Sequence, residues 1–233
     1  MRNNPSALGA CADMGFSSEW EQRFSAKRNH SHWPWSDLIS HALGTARLSS
    51  DSIVLELGCA VGANVPFFQA LDCQYYGLEG SKSAVATAKQ KFPEWKDRFF
   101  LADFTQAFPI TDSFTCIVDR SSVTHNIAAD IERILGQCFN VLVPGGIYIG
   151  IDWFGDAHQA FMSAEATELD AYTRVFGEDQ PQFHGVGAVH FVNEQRLKSF
   201  FSAFSILALE NKIITCALTG RVTQTFNIVA QKK

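Results

Sequence analysis

From residue 52 onward, short apolar runs alternate with stretches of helical period. "SIVLELG" (52–58) is apolar over almost a full strand length, and "QYYGLEG" (74–80), "RFFLAD" (98–103), "FTCIVD" (114–119) and "IYIGIDW" (147–153) repeat the pattern. Between them the spacing predicts a helix over Val65–Leu71 and another from a Ser81 cap to about Phe92, with Lys82, Lys89 and Lys91 on its wet side. A third has Ile127, Ile131, Ile134, Leu135, Cys138 and Val141 turned inward, and "PGG" at 144–146 makes a tight turn into the fifth strand. Apolar strands joined by helical crossovers indicate a parallel sheet covered on both faces.

The two ends differ from this middle. A helix over Glu194–Phe201 leads to "FSILALENKII" and "RVTQTFNIVAQ", whose short polar connection leaves no room for a crossover helix, so these strands pair antiparallel at the sheet edge. The expected fold is α/β: a doubly wound, mostly parallel seven-stranded sheet with an antiparallel C-terminal hairpin and helices on both faces. Residues 1–17 read as a loose arm. Residues 18–48 read as helices broken at "HWPWSD", where Pro34 disfavours helix at Trp33 and Ser36 or Asp37 caps the next one, with Leu38, Ile39, Ala42 and Leu43 inward. The expected organisation is an arm with lid helices over 1–48 and a domain over 49–233, whose insertion at about 153–192 covers an acceptor.

Composition narrows the function. A chain of 233 residues suits one sizeable domain, and 20 Phe suggest an aromatic core together with an apolar ligand pocket. A net charge of −5 without a Lys/Arg run argues against extended contact with nucleic acid or acidic lipid. The six cysteines form no C-x-x-C pair and three lie in or beside apolar runs, so they read as reduced thiols. The N-terminal residues lack the apolar core of a secretory leader, and the expectation is a cytoplasmic protein.

In a doubly wound sheet the ligand sits outside the carboxyl ends of the strands. That rule places Gly58–Gly62, Glu79, Asp103, Asp119 and Asp152 along one rim, and so much negative charge suits a positively charged, hydroxylated cofactor better than a pyrophosphate. The loop "LELGCAVGANV" (55–65) agrees, since a dinucleotide fingerprint would place glycines at 58, 60 and 63 and only the first is present.

These residues resemble the class I, Rossmann-like S-adenosylmethionine-dependent methyltransferases. "LELGCAVG" is similar to the family's first motif, an acid followed by G-x-G-x-G, with Glu56, Gly58, Ala60 and Gly62 in those places. Ala60 stands where the family has its central glycine, which narrows the backbone approach. By that resemblance Glu79, followed by Gly80, bonds the ribose hydroxyls, Asp103 meets the adenine amino group, and Phe104 packs on the ring. "IVDRSSVTHN" takes the place of the fourth motif and "LVPGGIYIG" that of the turn before the fifth strand. The implied cofactor is S-adenosyl-L-methionine, with Asp119 near its methyl group. Asn-Pro-Pro-aromatic, the fourth-motif form of many nucleic-acid amino methyltransferases, is absent.

For the chemistry, His125 is the favoured base because its free pKa lies near neutrality, with Asp119 beside it. The competing reading makes His125 the start of the next helix, satisfying backbone groups. Arg120 pairs with a carboxylate or phosphate of the acceptor, or with the cofactor's own carboxylate. Asp152, His184 and His190 read as acceptor contacts or satisfied loop residues. With Asp156 and His158 they lack a metal-ligand spacing, and no metal is expected. Trp33 and Trp35 form an aromatic lid or pack a helix on the sheet. The leading expectation is methyl transfer to a small molecule, at oxygen. A non-catalytic cofactor-binding module and a nicotinamide oxidoreductase stay open as alternatives, and the oligomeric state is not read from the sequence.

Overall fold

The computed structural model describes residues 15–28, 30–110, 113–164, 169–178, 180 and 182–233, and in it each apolar run becomes a strand of one sheet. In chain order the elements are α1 (Ser18–Ser25), α2 (Ser36–Gly44), β1 (Ile53–Leu57), α3 (Val65–Ala70), β2 (Gln74–Glu79), α4 (Lys82–Lys91), β3 (Phe99–Leu101), β4 (Phe114–Arg120), α5 (Ala128–Val141) and β5 (Leu142–Phe154). There follow α6 (Gln159–Ser163), β6 (Thr173–Val175), β7 (Ala188–His190), α7 (Glu194–Phe200), β8 (Phe204–Thr215) and β9 (Val222–Lys232). The seven-stranded sheet has the order β3-β2-β1-β4-β5-β9-β8. The first five strands run parallel, and β9 enters antiparallel between β5 and β8. The reversal of order between β1 and β4 opens a crevice at their carboxyl ends.

Alternation along the strands supplies two cores. Leu55 and Leu57 of β1, Ile117 of β4, and Tyr148 and Trp153 of β5 pack on one face with Ile131, Ile134 and Leu135 of α5 and Leu197 of α7. Val54, Cys116, Val118, Ile149 and Ile151 face the other way against Leu38, Val65, Phe68 and Val85 of α2, α3 and α4. Burial on both faces explains why these strands read as unbroken apolar runs.

The structure refines several boundaries. Ser81 caps α4 as expected, accepting from Ala84 N at 3.1 Å. Neither Ser36 nor Asp37 caps α2; Trp35 holds the N-cap position and makes no side-chain bond to the helix. Leu43 is exposed there while His41 is buried, because the buried stripe of that short helix runs through Leu38, His41 and Ala42. "PGG" does not interrupt the chain as a separate turn. The strand is continuous, and the pairing jumps from Phe114↔Leu142 to Cys116↔Ile147, so Pro144 and its glycines are absorbed as an irregularity. The small antiparallel sheet β6–β7 lies within 153–192 and was not legible as strands; its residues build a satellite core of Phe154, Phe176, Phe183, Val189 and Phe191. Among the described residues, no helix is long and apolar enough to cross a membrane.

Candidate active site

The carboxyl ends of β1, β2, β4 and β5 converge on a cavity of about 480 Å³. At one end the turn after β1 is shaped by Gly58, at φ +67°. A Cβ there would lie 2.4 Å from Ser122 Cβ, so both the backbone conformation and the space require glycine. Ala60 holds a left-handed φ of +49° without being glycine, a conformation that costs about 1–2 kcal/mol and is fixed here because its N–H donates to Glu79 Oε2 at 2.9 Å. Ser81 N donates to Glu79 Oε1 at 2.8 Å. Burial pushes the Glu79 carboxyl up to about 6, although those backbone donors pull against it. Glu56, beneath the loop, accepts from Asn64 Nδ2 at 2.7 Å and Tyr75 OH at 2.6 Å, and burial pushes it up to about 7. Asp103 Oδ1 accepts from Thr105 N and Oγ1, while Oδ2 accepts from Phe16 N at 2.9 Å.

Helix α1 roofs this end. Glu21 accepts from the hydroxyls of Ser81 and Ser83 and from Ser83 N, at the N-terminus of α4, and these bonds hold its carboxyl below the usual range. On the other side, Arg23 donates to His184 O at 2.8 Å. Trp20 and Phe24, one helical turn apart, and Phe16 before them line the cavity. Sequence reasoning missed all three; the i,i+4 aromatic pair in "SEWEQRFS" was the available signal.

The opposite end holds a charged corner and an aromatic wall. The Arg120 guanidinium lies 3.5 Å from the Trp35 ring centroid and pairs with Asp152 Oδ2 at 3.1 Å, while Lys212 approaches Asp152 Oδ1 at 3.4 Å. Ser121 and Asp152 are both left-handed, at φ +54° and +57°, and Ser121 Oγ donates to Asp152 O at 2.9 Å. With Ala60, three strained non-glycine residues stand at three strand ends around one cavity, a clustering typical of functional sites. His125 lies on the wall, its ring edge-on to Trp20 at 4.8 Å and to Phe154 at 5.7 Å. Burial lowers its pKa to about 4; bonding to the Ala188 backbone opposes this, and the charges of Arg23 and Arg120 reinforce it.

Of the residues singled out from sequence, Glu56, Gly58, Ala60, Glu79, Asp103, Phe104, Arg120, His125, Asp152, His158 and Trp35 line this cavity. The others stand elsewhere. Asp119 is 1% exposed beneath the floor, where Oδ1 accepts from Ser122 N, Val123 N and the Ser122 hydroxyl, and Oδ2 from Tyr148 OH. It sets the 121–123 loop. Gly62 packs against Phe92, and Gly80 leaves room for the Phe16 ring, which a Cβ would approach at 2.1 Å. Trp33 is 80% exposed and outside the cavity, because Pro34 turns the chain so that only Trp35 reaches Arg120. His184 does not line the cavity; its carbonyl accepts from Arg23. His190 is fully buried between Thr173 Oγ1 at 2.9 Å and Arg196 Nε at 3.0 Å, a satisfied residue of the small sheet.

The cleft suits S-adenosylmethionine on its own chemistry. The Glu79 carboxylate accepts from backbone N–H groups, Ala60 on Oε2 and Ser81 on Oε1 among them, and has lone pairs left for hydroxyls, and two buried carboxyls with raised pKa face a cationic guest. Both carboxyls are partly protonated near neutrality, and a positive guest favours their ionised forms. Binding should therefore release protons at about pH 6.5, and affinity should rise as pH increases from about 6 to 7. Titration calorimetry in buffers of different ionisation enthalpy measures this; heats independent of the buffer would contradict it.

Comparison with known proteins places this geometry. Residues 55–148 match the family model described as a methyltransferase domain. A methyltransferase dependent on S-adenosylmethionine from Methanosarcina mazei is 17% identical and superposes with a TM-score of 0.67 over 86% of this chain and 98% of its own. One from Clostridium acetobutylicum is 16% identical, with a TM-score of 0.61 over 92% and 97%. The Haemonchus contortus phosphoethanolamine N-methyltransferase 2, bound to phosphomonomethylethanolamine and S-adenosylhomocysteine, is 12% identical, with a TM-score of 0.62 over 92% of this chain and 56% of its own. No curated protein matches in sequence. These likenesses establish the fold. The family match over residues 55–148 adds a methyltransferase domain within that fold, with S-adenosylmethionine as its cofactor.

Proposed function

We propose that this protein methylates a small-molecule acceptor at oxygen, in the cytoplasm. The observation that carries the reading is the continuity of one cavity from Glu79 and Asp103 to Arg120, His125 and Asp152, roofed by α1 and walled by residues of 153–192. The dimensions suit a small guest rather than a polymer, and the net charge of −5 offers no broad attraction for nucleic acid. The N-terminal helices act as lid, and the segment 153–192 covers the acceptor.

The cofactor supplies an electrophilic methyl group on a sulfonium. The protein's part is to align the acceptor, exclude water and accept a proton. Glu79 and Asp103 hold the nucleoside, with Phe104 and the 58–60 turn beside it. Arg120 and Asp152 orient polar groups at the acceptor end. His125, whose pKa burial lowers to about 4, is neutral at physiological pH and accepts the proton of a hydroxyl as a weaker base than a free imidazole. His125→Gln is expected to lower turnover by about a hundredfold or more while S-adenosylhomocysteine affinity stays within about threefold. The assay is conversion of S-adenosylmethionine to S-adenosylhomocysteine with fractionated small metabolites. Unchanged turnover would reduce His125 to a packing residue between Trp20 and Phe154.

A further inference from the structure

We propose that the acceptor end of the cleft is a chamber for a planar aromatic molecule bearing an oxygen, and that His158 determines specificity by donating a hydrogen bond to that oxygen. The inference rests on the reading of that end as the acceptor site and names its substrate class.

Aromatic side chains form the wall around His125 and His158. Trp20, His125, Phe154 and Phe183 meet in successive edge-to-face contacts, with centroids 4.8, 5.7 and 5.0 Å apart and interplanar angles of 79°, 78° and 82°. A flat π system continues such an array, because edge and face carry opposite partial charge, whereas a saturated ring offers only area. His158 stands against Phe183 at 5.4 Å and also lines the cavity.

The polar signal comes from the imidazole itself. His158 is 1% exposed, and its Nδ1 accepts from Ala160 N at 3.1 Å as the N-cap of α6. Burial lowers its pKa to about 4, with the Arg221 charge adding to the effect, so the ring is neutral. With Nδ1 accepting, the single ring proton sits on Nε2. That nitrogen is buried without a hydrogen-bonding partner, and so is His125 Nδ1 in the same wall. An unmet buried donor is costly, and native proteins seldom leave one without a reason. The N-cap bond needs only an acceptor one atom beyond Cγ, which Asn or Asp supplies, so capping does not account for the rest of the ring. A guest oxygen that displaces the side chains covering Nε2 does: it supplies the acceptor Nε2–H lacks.

The test separates capping from recognition. His158→Asn keeps an N-cap acceptor and removes the distal donor. On protein saturated with S-adenosylhomocysteine, para-ethylphenol, ethylbenzene and para-ethylcyclohexanol are titrated by calorimetry. The native protein should bind para-ethylphenol about tenfold more tightly than ethylbenzene, and more tightly than the saturated alcohol; in His158→Asn the phenol-to-ethylbenzene ratio should fall to about one. Proton–nitrogen NMR of the native protein should show one His158 proton, on Nε2, shifting with para-ethylphenol but not with ethylbenzene. This spectrum decides the matter even if the variant folds poorly. A ratio near one in the native protein, a ratio unchanged by the substitution, an unmoved Nε2–H signal, or equal binding of the saturated alcohol would overturn the proposal. Failure to bind S-adenosylhomocysteine at all would instead strike the cofactor reading on which it rests.

Discussion

Glu79→Ala is expected to lower the affinity for S-adenosylmethionine by at least about a hundredfold. In the role proposed for Glu79, two charge-assisted bonds from ribose hydroxyls, each worth about 1.5–3 kcal/mol, are lost together, which corresponds to about two to four decades in the dissociation constant. The same change leaves Ala60 N–H and Ser81 N–H without their acceptor, so the strained turn at Ala60 loosens as well. Glu79→Gln separates the two effects. It keeps one acceptor oxygen and removes the charge, and should fall between native and alanine. Calorimetry on variants shown to be folded by thermal denaturation measures both. An affinity within about threefold of native in Glu79→Ala would make the carboxylate a turn-holding residue and no more.

The second large effect falls on stability. Asp119→Ala should destabilise the fold by about 3–5 kcal/mol, because it strands the Ser122 and Val123 N–H groups and the Tyr148 hydroxyl in the interior. The Ser122 hydroxyl, which lies 2.7 Å from Leu57 O, can turn its proton there, and Gly58 lies directly against this side chain, so the damage should spread to the turn after β1. Chemical denaturation measures the loss. Native stability combined with absent turnover would place Asp119 in the chemistry after all, which its 1% exposure argues against.

The difference between Asp119 and Asp152 shows what sequence can and cannot give. Both end apolar strands, and the switch-point rule sends both to the rim. The sheet's own period decides between them only in three dimensions: Asp119 turns under the 121–123 loop, while Asp152, in a left-handed conformation, turns outward to Arg120 and Lys212. The parallel strands, the terminal hairpin and the glycine turn after β1 were legible because each depends on local spacing or on runs buried on both faces. The residues that close the cavity were not. Phe16, Trp20 and Phe24 reach it through the long-range contacts of α1 with α4 and with His184. Phe154, His158 and Phe183 reach it through an insertion whose core is nonlocal. Histidines illustrate the same limit, since sequence singled out His125, His184 and His190 alike, and only burial and partners distinguish the wall residue from the one whose carbonyl accepts from Arg23 and the satisfied one.

The central claim is that the turn after β1 holds a sulfonium nucleoside. The most direct measurement is a calorimetric titration of the protein with S-adenosylhomocysteine, with NAD in parallel. Micromolar binding of S-adenosylhomocysteine alone is the expected result. Binding of NAD alone would mean that the turn at Gly58–Gly62 cradles a pyrophosphate, and would contradict the account.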